Sequence, residues 1–98
     1  MILVRERETT EGLLVAACDA AVLGETFEDG ELSLSVTEEF YGGDEMDADD
    51  AIAAIERADV ANLVGTETVE SAIDAGVVDE STVLTVEDTL HAQVLRLG

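Results

Sequence analysis

The hydrophobic period of this chain changes across one stretch, Glu38-Glu39-Phe40-Tyr41-Gly42-Gly43-Asp44-Glu45. Ahead of it, Leu32, Leu34 and Val36 alternate with Ser33, Ser35 and Thr37, the period of a half-buried strand. Behind it, Ala48, Ala51, Ile52, Ile55 and Ala58 recur at helical spacing. A chain that carries both periods must combine strands and helices. The stretch itself holds two of the three aromatic residues and the only Gly-Gly pair. Large side chains beside a tightly turning backbone suit either a site or a corner.

The remaining elements can be placed around that switch. Ile2 to Glu8 and the apolar run Leu13 to Cys18 flank the turn signal Thr9-Thr10-Glu11-Gly12, which predicts an opening β-hairpin. Asp19 can cap a short helical turn through Leu23, stopped by Gly24, and Phe27 falls in a polar loop that ends at Asp29-Gly30. Asp47 is a good N-cap, with Asp49 and Asp50 in the first turn, so a helix is predicted over 47–58. Val60 to Val64 reads as a short strand. Thr66 can cap a second helix over 66–75, with Val69, Ala72 and Ile73 inward and Gly76 at its end. Thr82 to Val86 is strand-like, Glu87-Asp88 is a turn, and Leu90 to Leu97 closes the chain as a strand. On that strand His91, Gln93, Leu95 and Leu97 share one side. The sum is a single compact α+β domain over 1–98, a β-rich mixed sheet with two internal helices. Extending the Leu32, Leu34, Val36 register by even steps turns Phe40 inward and leaves Tyr41 outward.

Charge sets the environment. There are 24 acids against four arginines and no lysine, a net charge of −20 over 98 residues. Such a chain repels itself in dilute buffer, and at molar salt the Debye length falls to about 3 Å and screens most of the repulsion. The acids are spread along the chain, which fits a salt-rich cytoplasm better than a mimic of nucleic acid or a ligand for a basic partner. There is no basic stripe and no aromatic RNA-binding motif, so no direct DNA-binding signature is present. One cysteine, Cys18, excludes an internal disulfide and a four-thiolate zinc site. The N-terminus lacks a signal-peptide pattern and no apolar run approaches a membrane span, so a cytoplasmic protein with no membrane partner is expected.

No catalytic or metal signature stands out, and no cofactor is expected. Counted as a calcium loop from Glu45, the acid cluster has Asp50 where glycine is needed, so Asp44 to Asp50 reads as a capped helix start. Cys18 and His91 lack any flanking nucleophile motif. Asn62 is an amide inside an apolar strand and needs a hydrogen bond if buried. Gly65-Thr66 before a helix could offer amides to an anion, but Glu67 opposes it.

Phe40-Tyr41-Gly42-Gly43, Asn62-Leu63-Val64-Gly65 and His91-Ala92-Gln93, with Gly24-x-Thr26-Phe27 ahead of them, together resemble a small archaeal family known as domain of unknown function 424. The family pattern has a proline before the histidine, where this chain has Leu90. The resemblance implies an archaeal source and a compact α+β fold, and it implies no activity.

Tyr41, Gly42, Gly43, Asn62, Gly65, His91 and Gln93 are the candidate binding surface. Ring, amide and imidazole groups suit both ligand recognition and the bracing of loops. The leading expectation is a non-catalytic binding or adaptor module with a protein or ribonucleoprotein partner, which the family resemblance associates with translation or RNA metabolism. The alternative is a small hydrolase or transferase that uses His91, with Asn62 and Gln93 orienting substrate.

Overall fold

A computed structural model describes residues 1–96. The chain opens as the expected hairpin. Strand β1 (Ile2–Thr9) pairs antiparallel with β2 (Gly12–Asp19), from Ile2 opposite Asp19 to Thr9 opposite Gly12. Thr9 Oγ1 ties the turn by donating to the Gly12 carbonyl at 2.8 Å. A 3₁₀ turn (Ala20–Val22) leads into a second antiparallel hairpin, β3 (Thr26–Asp29) and β4 (Leu32–Ser35). One helical turn, α1 (Glu38–Tyr41), and a short strand, β5 (Asp44–Met46), follow. Then come α2 (Ala48–Arg57), β6 (Val60–Val64), α3 (Thr66–Asp74), a 3₁₀ turn (Glu80–Thr82), β7 (Leu84–Val86) and β8 (Thr89–Leu95).

The larger sheet is mixed, in the order β5-β1-β2-β6-β8-β7, and β3-β4 forms a separate small sheet. The β2–β6 pairing is parallel and its neighbours are antiparallel. Helices α2 and α3 cover one face of the large sheet. Ala51, Ala54 and Ile55 of α2, and Val69 and Ala72 of α3, pack there on Ile2, Val4, Val15, Ala17, Leu63, Ala92 and Val94. Small side chains on α2 let it lie close to the strands. Asp47 caps that helix as expected, accepting the Asp50 N–H at 2.9 Å. No helix among the described residues is long and apolar enough to cross a membrane.

The opposite face is covered over part of its width. There Phe27, Val36 and Tyr41, from the β3–β4 region and α1, pack on Ala16, Cys18, Val64 and Val86.

The two main helices fall within a residue of their predicted ends. Five local expectations are corrected. Residues 38–41 form a helical turn, where successive side chains rotate by roughly 100°. Strand alternation therefore fails at this point: Tyr41 is the buried ring, 4% exposed, and Phe40 is half-buried. Phe27 lies in a strand, not a loop, and is buried. Leu32 sits where the small hairpin overhangs solvent and is 45% exposed, so of the alternating set Val36 alone is fully inside. Asp44–Met46 is an edge strand on β1, hidden in the sequence by its acids. The N-cap of α3 is Gly65 rather than Thr66, and Asp19 serves that helix instead of its own turn. Leu97 lies outside the described residues.

Candidate functional site

Side chains of a strand alternate between faces, so register assigns each residue of the large sheet to one side. On the face away from α2 and α3, one cross-strand row runs Arg5, Ala16, Asn62, Gln93. The next runs Arg7, Leu14, Val60, Leu95. A third runs Leu3, Cys18, Val64, His91, Leu84. Ala16, Cys18 and Val64 are roofed by the second core cluster. Leu14 and Val60 are half-buried and belong to neither cluster, while Leu95 and Leu84 are 62% and 52% exposed. One half of this face is therefore open.

Its charge is unlike that of the rest of the chain. Among the residues that β1, β2, β6, β7 and β8 direct to this side there is no aspartate or glutamate. Acids enter at the margins, where Glu45 of β5 stands opposite Leu3 and where α1, packed on this face, carries the exposed Glu38 and Glu39. Two of the four arginines, Arg5 and Arg7, lie on this face.

Those two arginines hold the aromatic corner. Arg5 Nη1 donates to the Gly42 carbonyl at 3.0 Å, and Arg7 Nη1 donates to the Phe40 carbonyl at 3.1 Å. Arg7 Nη2 also donates to the Glu39 carbonyl. Carbonyls at the end of a helical turn are short of partners, and cations suit them. The Arg7 guanidinium lies 5.0 Å from the centre of the Phe40 ring, a cation–π distance. Phe40 in turn meets Tyr41 edge-on, with centroids 4.9 Å apart. Tyr41 forms the base of this stack. Burial pushes its phenol up to about 12, with the neighbouring Cys18 adding to the shift. Burial likewise pushes the Cys18 thiol up to about 11, helped by Asp19. Gly43 passes so close to the Val4 carbonyl that no side chain would fit there. Beside it, Arg5, Glu6, Gly42, Gly43 and Asp44 border an open depression of about 370 Å³.

The second group of predicted residues lies on β6 and β8. Asn62 and Gln93 are opposite one another, and Gln93 Nε2 donates to Asn62 Oδ1 at 2.8 Å. His91 is half-buried, with Nδ1 2.9 Å from the Leu63 carbonyl. Gly65 lies behind them and is not part of the surface. It is buried, with φ of 116°, and the Asp19 carboxylate occupies the space a β-carbon would need. That carboxylate accepts the Thr68 N–H at 2.8 Å, the Thr68 hydroxyl at 2.7 Å and the Glu67 N–H at 3.1 Å. The amides at the start of α3 are thus capped from a neighbouring strand, which corrects the idea that they offer an anion site.

Asn62, Gln93 and His91 therefore share one face with the Gly42–Gly43 corner. Arg5 and Gln93 stand three strands apart, roughly 14 Å. Tyr41 lies beneath this surface rather than on it. Sequence reasoning missed Arg5, Arg7, Leu14, Val60 and Leu95. The alternation Arg5-x-Arg7 was visible, but the parallel β2–β6 pairing that brings Leu14 beside Val60 leaves no local signal.

Comparison with known proteins agrees with this fold. A crystal structure of an uncharacterized conserved protein from Methanopyrus kandleri is similar at a TM-score of 0.78 and 22% identity. The match covers 99% of this chain and 94% of that one, and at this identity it speaks for the fold alone. No curated protein matches. The profile of the family described as "Protein of unknown function (DUF424)" matches residues 6–97, and the chain belongs to that family.

Proposed function

We propose that this protein is a non-catalytic binding module of a salt-rich cytoplasm, and that it docks a partner protein on the open half of its larger sheet. One observation carries the reading. Leu14, Val60 and Leu95 stand side by side on three adjacent strands and join neither core cluster. Single exposed leucines are ordinary, but a contiguous apolar row is the kind of patch that marks an interface. Covering it returns about 25 cal/mol for each Å² removed from water. The Asn62–Gln93 pair beside it supplies amides that hold each other in place and still have donor and acceptor capacity for a partner. The same pairing tells against a catalytic use of His91, because the two amides expected to orient substrate are engaged with each other.

Capture from a lysate in molar salt tests this. The wild type should retain a protein that the double variant Gln93→Glu, Leu95→Glu loses, with the melting temperature unchanged. The variant Glu70→Gln, on the exposed side of α3, should retain it. Equal capture by the double variant, or capture of RNA in place of protein, would overturn the reading.

A further inference from the structure

We infer that the segment bound on this face is itself acidic: a polypeptide that presents carboxylates to Arg5 and Arg7 and apolar side chains to Leu14, Val60 and Leu95. The inference rests on the binding reading above and adds the chemistry of the partner. Its first ground is that the outward positions of β1, β2, β6, β7 and β8 on this face hold no acid, in a chain with 24 acids. The open strand rows present no carboxylate to an approaching acidic surface; the nearest acids are Glu45 at the edge and Glu38 and Glu39 of the helical turn that covers the other half of the face.

The second ground is the state of the arginines. Among the described residues the ion pairs are Arg57 with Glu6, and the Met1 amine with Glu67. Arg5 and Arg7 are instead held by backbone carbonyls. A carbonyl orients a guanidinium without cancelling its charge. A guanidinium has five N–H donors in a rigid fork, so both arginines keep donors available in a fixed orientation. Arg–carboxylate pairs are often bidentate, which this geometry suits.

The third ground is spacing. Arg7, Leu14, Val60 and Leu95 form one cross-strand row. At about 4.8 Å per strand, the row spans roughly 14 Å. A segment lying along it would place a carboxylate at Arg7 and apolar groups on the next three positions. A nucleic acid would bring phosphates to the arginines but would need rings to stack on. The sheet offers only the half-buried His91 imidazole, held at the Leu63 carbonyl and two strands away from Leu14, and Phe40 is covered by Arg7.

The test uses the whole protein, labelled with nitrogen-15, in about 1 M potassium chloride, where the Debye length is about 3 Å. Three probes are titrated: an amphipathic peptide with glutamates beside a leucine face, the same peptide with lysines, and a short oligouridylate. The glutamate peptide should shift backbone signals of β1, β2, β6 and β8, and should bind about tenfold tighter than the lysine peptide. Arg5→Gln should reduce that preference, with Arg7 retaining part of it, and Gln93→Glu should weaken the glutamate peptide at least as much. If the lysine peptide binds this face better, the acidic partner is wrong and the protein-docking face stands; if the oligouridylate binds it better, the reading of a protein partner falls as well. If no probe shifts these strands, both readings fail.

Discussion

Tyr41 and Phe40 exchange the places that strand alternation assigns them, and the exchange can be measured. Tyr41 packs over Ala16 and Cys18 and is 4% exposed, whereas Phe40 is half-buried between Tyr41 and Arg7. Tyr41→Ala should therefore cost about 3–5 kcal/mol, the range for a truncated core ring. Phe40→Ala should cost less than half of that, mainly its edge contact with Tyr41 and its cation–π contact with Arg7. Urea melts in molar salt read both. The same burial makes stability fall in alkali. Cys18 keeps its proton up to about pH 11 when folded, against an ordinary value of 9.0, and Tyr41 up to about 12 against 10.0. Between those values the unfolded chain has lost protons that the native chain retains, so rising pH favours unfolding. Stability should hold below pH 9 and decline first through the Cys18 window, then through the Tyr41 window. In Cys18→Ala the decline should begin about one unit later, near the ordinary tyrosine value, in melts run across an alkaline pH series. The motif residues themselves were legible in the sequence. Which of them point to solvent was not, because one helical turn of four residues leaves no period to read.

At the scale of elements, Asp19 joins three parts of the fold. It ends β2, precedes the 3₁₀ turn, and caps α3 across a gap of 49 residues in sequence at Thr68. An aspartate before a short apolar segment looks like a local cap, and only the β2–β6 pairing reveals its distant partner. Gly65 is tied to it, because its φ of 116° and the carboxylate beside it both exclude a side chain. Asp19→Ala should cost about 1–2 kcal/mol, as the loss of an N-cap does. Gly65→Ala should cost more, since backbone strain and a clash act together. The double variant should be less destabilised than the two costs added, because removing the carboxylate removes the clash. Thermal melts of the three variants give this coupling directly, and strict additivity would show that the clash contributes nothing. The two longer helices and the opening hairpin were legible because periodicity, caps and turn signals agree there. Strand β5 was not, since Asp44 and Glu45 have poor strand propensity and β1 holds them by pairing alone.

For the molecule as a whole, the α+β class follows from the change of period, and the net charge of −20 leads to a prediction about salt. Circular dichroism across a potassium chloride series should show a melting temperature that rises steeply with salt and levels off near molar concentration. An unchanged cooperative transition in dilute buffer would contradict the expectation. Where the acids are absent was not legible, because it depends on strand order and a parallel pairing with no local signature. The acid-free strand rows, with their apolar row, give the molecule its one-sided character: two helices on one side, a half-open sheet on the other. Hydroxyl-radical footprinting of the captured complex in molar salt tests that most directly. Oxidation of Leu14, Val60 and Leu95 should be suppressed relative to the protein alone, while Ile52 on α2 is unaffected. Suppression at Ile52, with Leu95 oxidised as fast as in the protein alone, would contradict the assignment of the docking face.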